Sequence, residues 1–224
     1  VDDLTHFIVV YSKRKTVSIE VTINGALIVR APFFISYDEI QRIVLKHKKW
    51  IKERLSYVKD LPYTSKKRFI SGEYFWYLGS TYKLNIVDKQ NKHLVFKNNE
   101  FYLNGDVKDR ARDIFVDWYK KETLKIVQEK ANFYAAECGV SFKGIRVTSA
   151  EKRWGSCSIN NSINFSYRVA MTPVFVIDYI IVHELCHIKE HNHSKSFWNH
   201  VINIMPDYKI AKEWLRDNGY ALHI

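Results

Sequence analysis

Within HELCHIKEHNHSKSFW, which runs from His183 to Trp198, two histidines and a glutamate stand in the order His183-Glu184-Leu185-Cys186-His187. On a helix, residues four apart share a face and lie about 6 Å apart along the axis. Two imidazoles so placed can converge on one divalent ion at about 2 Å each. Glu184, one step around from His183, can hold a water against that ion without being a ligand itself. This HExxH spacing suits metal-assisted hydrolysis: the glutamate is the general base, while the ion acidifies the water and polarises a carbonyl. The bland alternative is a pair of histidines satisfied within the helix.

A zinc hydrolase takes a third protein ligand and keeps one position open for water. His191 continues the four-residue ladder, but it would lie about 12 Å along the axis from His183, too far for one tetrahedral ion. Glu213, on the last predicted helix, is a second alternative. His193 is six residues past His187, about 240° around an unbroken helix and off the metal face. It can ligate only if the helix breaks near residues 190–192. Asn192 tolerates the left-handed conformation such a turn needs. Ser194 can then cap the next helix, with Phe197 and Trp198 packed behind the site. His193 is the expected third ligand.

These residues need a scaffold. The run VIDYIIV before His183 supplies an apolar helical face, and Thr172-Pro173 is a predicted start, with Thr as cap and Pro at the first helical position. Upstream, GIRVTSA, RWGSCS and SINFSYRV read as strands. A helix over about 107–137 ends at Cys138-Gly139, and a last one, PDYKIAKEWLRD, ends at Asn218-Gly219; both are glycine-type termini. The N-terminal part is β-rich. HFIVVYS, TVSIEVTI and ALIVRAP are predicted strands, with Asn24-Gly25 as a hairpin signal between the last two. Ser36 to Glu39 forms a capping box, after which Ile40, Ile43, Val44, Trp50, Ile51, Leu55 and Val58 keep helical spacing. Strands return over residues 73–105.

Composition bounds the rest. With 224 residues and 46% hydrophobic content the chain is globular. No window approaches the roughly 18 apolar residues of a membrane span. The start, VDDLTHFIVVYSKRK, does not read as a secretory signal. Three cysteines, Cys138, Cys157 and Cys186, form no CxxC pair, which points to a reducing, cytoplasmic setting. The net charge is +11, and residues 1–105 hold most of it, with 18 Lys/Arg against 10 Asp/Glu. Such a field can draw nucleic acid, anionic membrane or acidic proteins, but the lysines of KHKKWIKER fall largely on the solvent side of their helix.

The strand RWGSCS, Arg153–Ser158, has its own potential. A strand beside a metal helix can pair with an extended peptide. Gly155 permits close approach, Ser156 lies beside it, and Arg153 can bind a carboxylate or support an oxyanion. A structural salt bridge is as good a reading of Arg153, and Trp154 suits a core. Cys157 and Cys186 read as buried thiols.

Taken together, RWGSCS, INFSYR (Ile163–Arg168), VIDYIIVHELCH and NHSKSFW resemble the YgjP-like family of small bacterial zinc metallopeptidases. VSIEV, APFFIS before a helix with KKWI, and YLGSTYKL resemble it too, so the likeness spans nearly the whole chain. It implies a zinc-dependent hydrolase with a basic, sheet-containing N-terminal part and a minimal zincin core. His183, His187 and His193 match the family's metal positions and Glu184 its catalytic one. Glu190 stands where related HExxHxxGxxH enzymes have a turn glycine. SprT-like and WLM-type proteases, which act on DNA-bound proteins, are similar at greater distance.

The expectation is therefore an α+β protein, with residues 1–105 as a basic β-rich part and 106–224 as the catalytic part. It holds one Zn²⁺ and cleaves protein or peptide substrates with Glu184 as base. Three alternatives stand beside it: a protease delivered to DNA by its basic part, a hydrolase of non-peptide bonds, and a binding module with structural zinc.

Overall fold

The computed structural model describes residues 7–22, 25–59 and 67–224. The chain divides into two units, Val1–Lys66 and Lys67–Ile224. In the first, β1 (Ile8–Ser12), β2 (Ser18–Val21) and β3 (Leu27–Pro32) form a sheet in the order β1-β3-β2, with β1 parallel and β2 antiparallel to β3. The β2–β3 hairpin is as expected; Asn24 lies outside the described residues, and Gly25 takes a φ of +75°. Alternate residues Leu27, Val29 and Ala31 meet Ile40, Val44 and Ile51 in one core.

Those last three come from α1 (Tyr37–Lys46) and α2 (Lys48–Lys59). Ser36 Oγ accepts the Glu39 N–H at 3.3 Å, the cap the sequence predicts. The single helical run expected through Val58 is instead two helices, because the backbone leaves helical geometry at His47 (φ −98°, ψ 13°). Lys46, Lys48 and Lys49 are exposed, as their helical positions require.

The second unit starts with β4 (Tyr74–Tyr77), β5 (Ser80–Val87), β6 (Leu94–Lys97) and β7 (Glu100–Asn104), in the order β4-β5-β7-β6. A 3₁₀ turn, Gly105–Arg110, leads into α3 (Ala111–Cys138). A three-stranded sheet follows, β8 (Gly144–Thr148), β9 (Gly155–Cys157) and β10 (Ser162–Ser166), in the order β8-β10-β9. A second 3₁₀ turn, Tyr167–Met171, precedes α4 (Val174–Cys186), α5 (Lys195–Ile204) and α6 (Tyr208–Asn218). Among the described residues no helix is long and apolar enough to cross a membrane.

The change from strand-rich to helix-rich sequence near residue 105 is not where the chain divides. Phe75, Leu84, Phe101 and Leu103 of the four-stranded sheet share one core with Phe115 and Tyr119 of α3. The Phe75 and Phe115 rings stack 4.3 Å apart. The aromatic face of those strands is buried against the helix, so strands and helix form one unit. The β4–β5 turn is also bonded to the chain just before α4: Leu78 and Gly79 N–H donate to the Ala170 and Met171 carbonyls at 2.9 and 3.1 Å. Gly79 takes a φ of +84°, and a Cβ there would lie 2.6 Å from Pro173 Cγ. Only glycine suits both demands.

Two helix ends differ from expectation. Pro173 is the N-cap of α4, not its first helical residue, and the Thr172 hydroxyl donates back to the Val169 carbonyl at 2.8 Å. Gly139 ends α3 in the left-handed conformation as expected (φ 60°, ψ 45°). Gly219, after α6, is right-handed. Its role is packing: a Cβ would stand 2.9 Å from Trp154 Cζ2.

Candidate metal and catalytic site

Ile177, Ile181 and Leu185 of α4 join Val127, Ala131 and Ala135 of α3 in a second core. The alanines keep α3 slim where α4 crosses it, and α4 is buried to its last turn. That turn carries His183 and Glu184. His187 follows as the C-cap, still right-handed (φ −66°, ψ −16°). Both imidazoles therefore stay on one face, their ring centroids 4.9 Å apart.

The chain then turns back. Lys189 and Glu190 N–H both bond the Cys186 carbonyl, at 3.1 and 3.0 Å. The Glu190 carbonyl in turn accepts from His187 Nδ1 at 2.9 Å, which leaves Nε2 free to ligate. The left-handed turn expected at Asn192 is not used; neither Asn192 nor Glu190 takes positive φ. Asn192 Oδ1 accepts the Ser194 N–H at 2.9 Å instead, a local turn that needs no glycine. Ser194 Oγ caps α5 through the Phe197 N–H.

This path brings His193 to the other two. Ligand nitrogens of His183, His187 and His193 all lie within 4.8 Å of one another. His183 Nε2 and His193 Nε2 are 3.0 Å apart. Two donors on one tetrahedral ion at about 2 Å each sit about 3.3 Å apart, so this set fits a divalent ion with little movement. Phe197, fully buried, stacks on His187 at 4.4 Å, and Trp198 lies 5.9 Å from both His183 and His193. His191 and Glu213 are exposed and lie outside the cluster.

Glu184 is 6% exposed and borders a cleft of about 280 Å³ lined also by Arg153, Gly155, Tyr179, His183 and Leu215. Burial pushes its carboxyl up to about 8, against the opposing pull of Arg153. Burial and the neighbouring imidazoles hold His183 down, to about 3, so it is neutral and able to ligate at ordinary pH. Burial lowers His187 as well.

The RWGSCS strand borders this cleft, though not as the sequence suggests. The group that approaches Gly155 is Glu184: a Cβ on Gly155 would be 2.6 Å from Glu184 Cγ and Oε1. Ser156 does not line the cleft, and its Oγ accepts from Asn164 Nδ2 at 3.4 Å. Arg153 is exposed, with no carboxylate in salt-bridge distance among the described residues. Arg168, from INFSYR, lies buried under Trp154, 4.3 Å from its ring, and bonds the Glu151 and Leu222 carbonyls. It fixes the loop that leads into β9. Burial raises the Cys157 thiol, and a hydrogen bond to Cys138 raises that of Cys186, so neither is a ready nucleophile.

Tyr179 and Leu215 line the cleft without having been singled out from sequence. Tyr179 was within reach of the helical argument, since it stands four residues before His183; its hydroxyl is 3.4 Å from His183 Nδ1. Leu215 arrives from α6, a long-range neighbour that no local pattern marks.

A buried carboxyl beside three converging imidazoles on an α+β scaffold is the arrangement of a metal-dependent hydrolase. Residues 15–218 match the YgjP-like family's metallopeptidase domain, and the chain belongs to that family. It is a metallopeptidase, an enzyme of peptide substrates. The crystal structure of the metallopeptidase zymogen of Pyrococcus abyssi abylysin is similar with a TM-score of 0.37 and 22% identity, over 40% of this chain and 90% of that one. Comparison with curated proteins finds no match.

Proposed function

We propose that the protein is a zinc-dependent peptidase in which His183, His187 and His193 hold one Zn²⁺ and Glu184 is the general base. The observation that carries the reading is the convergence of three imidazoles beside a buried carboxyl. Three nitrogens and an open side suit a catalytic zinc, which when bound would lower the pKa of water and polarise the substrate carbonyl. A structural zinc would call for a fourth protein ligand, and none joins the cluster among the described residues.

The chain's own residues do the remaining work. Glu184 takes a proton from the water as its oxygen bonds the carbonyl carbon, then delivers that proton to the amine nitrogen, after which the peptide C–N bond breaks. Its burial holds the carboxyl protonated near neutrality, and Arg153 pulls the other way; a bound zinc would add the positive charge that favours the carboxylate. Tyr179 and the Glu190 carbonyl hold the outer nitrogens of His183 and His187, which orients both rings. Arg153 lines the exposed rim of the cleft, which supports a role for it in binding a substrate carboxylate.

The test is Glu184→Gln. It should keep the zinc content of the wild type and lose peptidase turnover by roughly 10²-fold or more. Wild-type turnover in this variant would remove Glu184 from the chemistry.

A further inference from the structure

A second groove, of about 600 Å³, lies between β6 and α3 and shares no residue with the cleft at Glu184. Among the described residues β6 is the last strand of its sheet, with β7 on one side only. The Asn104 N–H bonds the His93 carbonyl at 2.9 Å, and bonded pairs alternate along an antiparallel ladder. Val95 and Lys97 therefore bond β7, while the N–H and C=O of Leu94 and Phe96 point out from the free edge. Opposite them α3 presents Ile114, Trp118 and Lys121, which its turn places on one face. Lys92 and Lys121 line the groove, and neither is paired with a carboxylate among the described residues; Asp117, the acid beside them, is paired with Lys120 at 3.7 Å.

We propose that this groove binds an extended peptide segment with an apolar centre and acidic ends, added as a strand to β6. Open backbone groups on one wall supply strand pairing, Ile114 and Trp118 on the other take alternate apolar side chains, and the two lysines select acidic flanks. Bare edges are usually blunted by charge or covered. Here Leu94 and Phe96 leave theirs open beside an apolar wall, which suits a transient strand. In a peptidase, such a site holds substrate by a segment away from the bond cleaved. It deepens the peptidase reading through the substrate but does not depend on the metal.

The test uses the full chain and a fluorescent octapeptide, Glu-Glu-Val-Thr-Val-Thr-Glu-Glu, against a counterpart with lysines at both ends. The acidic peptide should bind at least ~10-fold more tightly, and equally well with EDTA, since the groove lies apart from the imidazoles. Lys92→Glu with Lys121→Glu, both on the surface, should invert the preference. Methylating alternate backbone nitrogens should abolish binding in one register and spare it in the other. Equal affinity for the two peptides, or an acidic preference that survives the double substitution, overturns the proposal. Loss of binding with EDTA would place the peptide at the imidazole site and overturn it too. Failure of the zinc reading alone would leave the EDTA-treated result unchanged.

Discussion

The Glu184 side chain lies against the α-carbon of Gly155, so close that a methyl group there would stand 2.6 Å from both Cγ and Oε1. Gly155 belongs to β9 and Glu184 to α4, and both are held by packing. Neither can retreat cheaply. The glycine is present for lack of a side chain, because its backbone does not require positive φ.

Gly155→Ala should therefore displace the carboxylate while leaving the imidazoles in place. A shift of about 1 Å at a reacting group can cost about 10²-fold in rate. The expected result is a fall in kcat of that order with metal content unchanged. Parallel measurement of peptidase rate and bound metal decides it. Full activity would mean that β9 yields and that the contact does not position Glu184.

The opposite shifts of Glu184 and His183 predict an unusual pH dependence of stability in the metal-free protein. Glu184 is raised from 4.5 to about 8, so between those values the native state keeps a proton the unfolded chain has lost. Stability falls as pH rises through that window. His183 is lowered from 6.5 to about 3, so there the unfolded chain binds the extra proton and stability falls as pH drops. Each contributes about 1.4 kcal/mol per pH unit within its window. The two cancel between pH 4.5 and 6.5. Urea unfolding with EDTA should find Glu184→Gln more stable than wild type at pH 8, by on the order of a few kcal/mol, and nearly equal to it at pH 4. A difference that does not grow with pH would show that the carboxyl is not held protonated.

The last step of the turn that brings His193 to its partners is held by the bond from the Ser194 N–H to Asn192 Oδ1. Asn192→Ala removes the acceptor, and Asn192→Asp keeps it. Metal affinity should drop by about 10- to 100-fold in the first and stay near wild type in the second. His193→Ala should lose more than either. Competition with a zinc chelator ranks the three. Unchanged stoichiometry and affinity in His193→Ala would send the third ligand elsewhere.

Much of this site is readable locally. The His183/His187 spacing, the Ser194 cap and the Gly139 terminus each rest on residues within one or two helical turns, and short-range sterics and hydrogen bonds decide them. What was misread depends on distant partners. Gly155 reads as room for a substrate until α4 puts Glu184 against it. Gly219 reads as a left-handed stop until Trp154 is seen to need the space. Asn192 has two ways to make a turn, by its backbone or by its side chain, and sequence does not choose between them. The division at residue 105, drawn between a strand-rich and a helix-rich part, cuts through one core for a related reason: the order of strands and helices does not record which faces are buried together.

That last difference has a consequence for fragments. Phe115 and Tyr119 are fully buried, and Phe75 and Phe101 from the four-stranded sheet cover them. A chain starting at residue 106 would expose these rings and lose the bonds from Leu78 and Gly79 that tether the turn before α4. Uncovering one such aromatic costs about 1.5–3 kcal/mol, and several together exceed the margin of a typical domain. A chain of residues 67–224 keeps all of them. It should unfold cooperatively and bind metal as the full chain does, whereas residues 106–224 should aggregate or show no cooperative transition. Thermal unfolding followed by circular dichroism separates the two outcomes. A cooperative, metal-binding 106–224 fragment would show that the strands only decorate the catalytic part and do not help to hold α4.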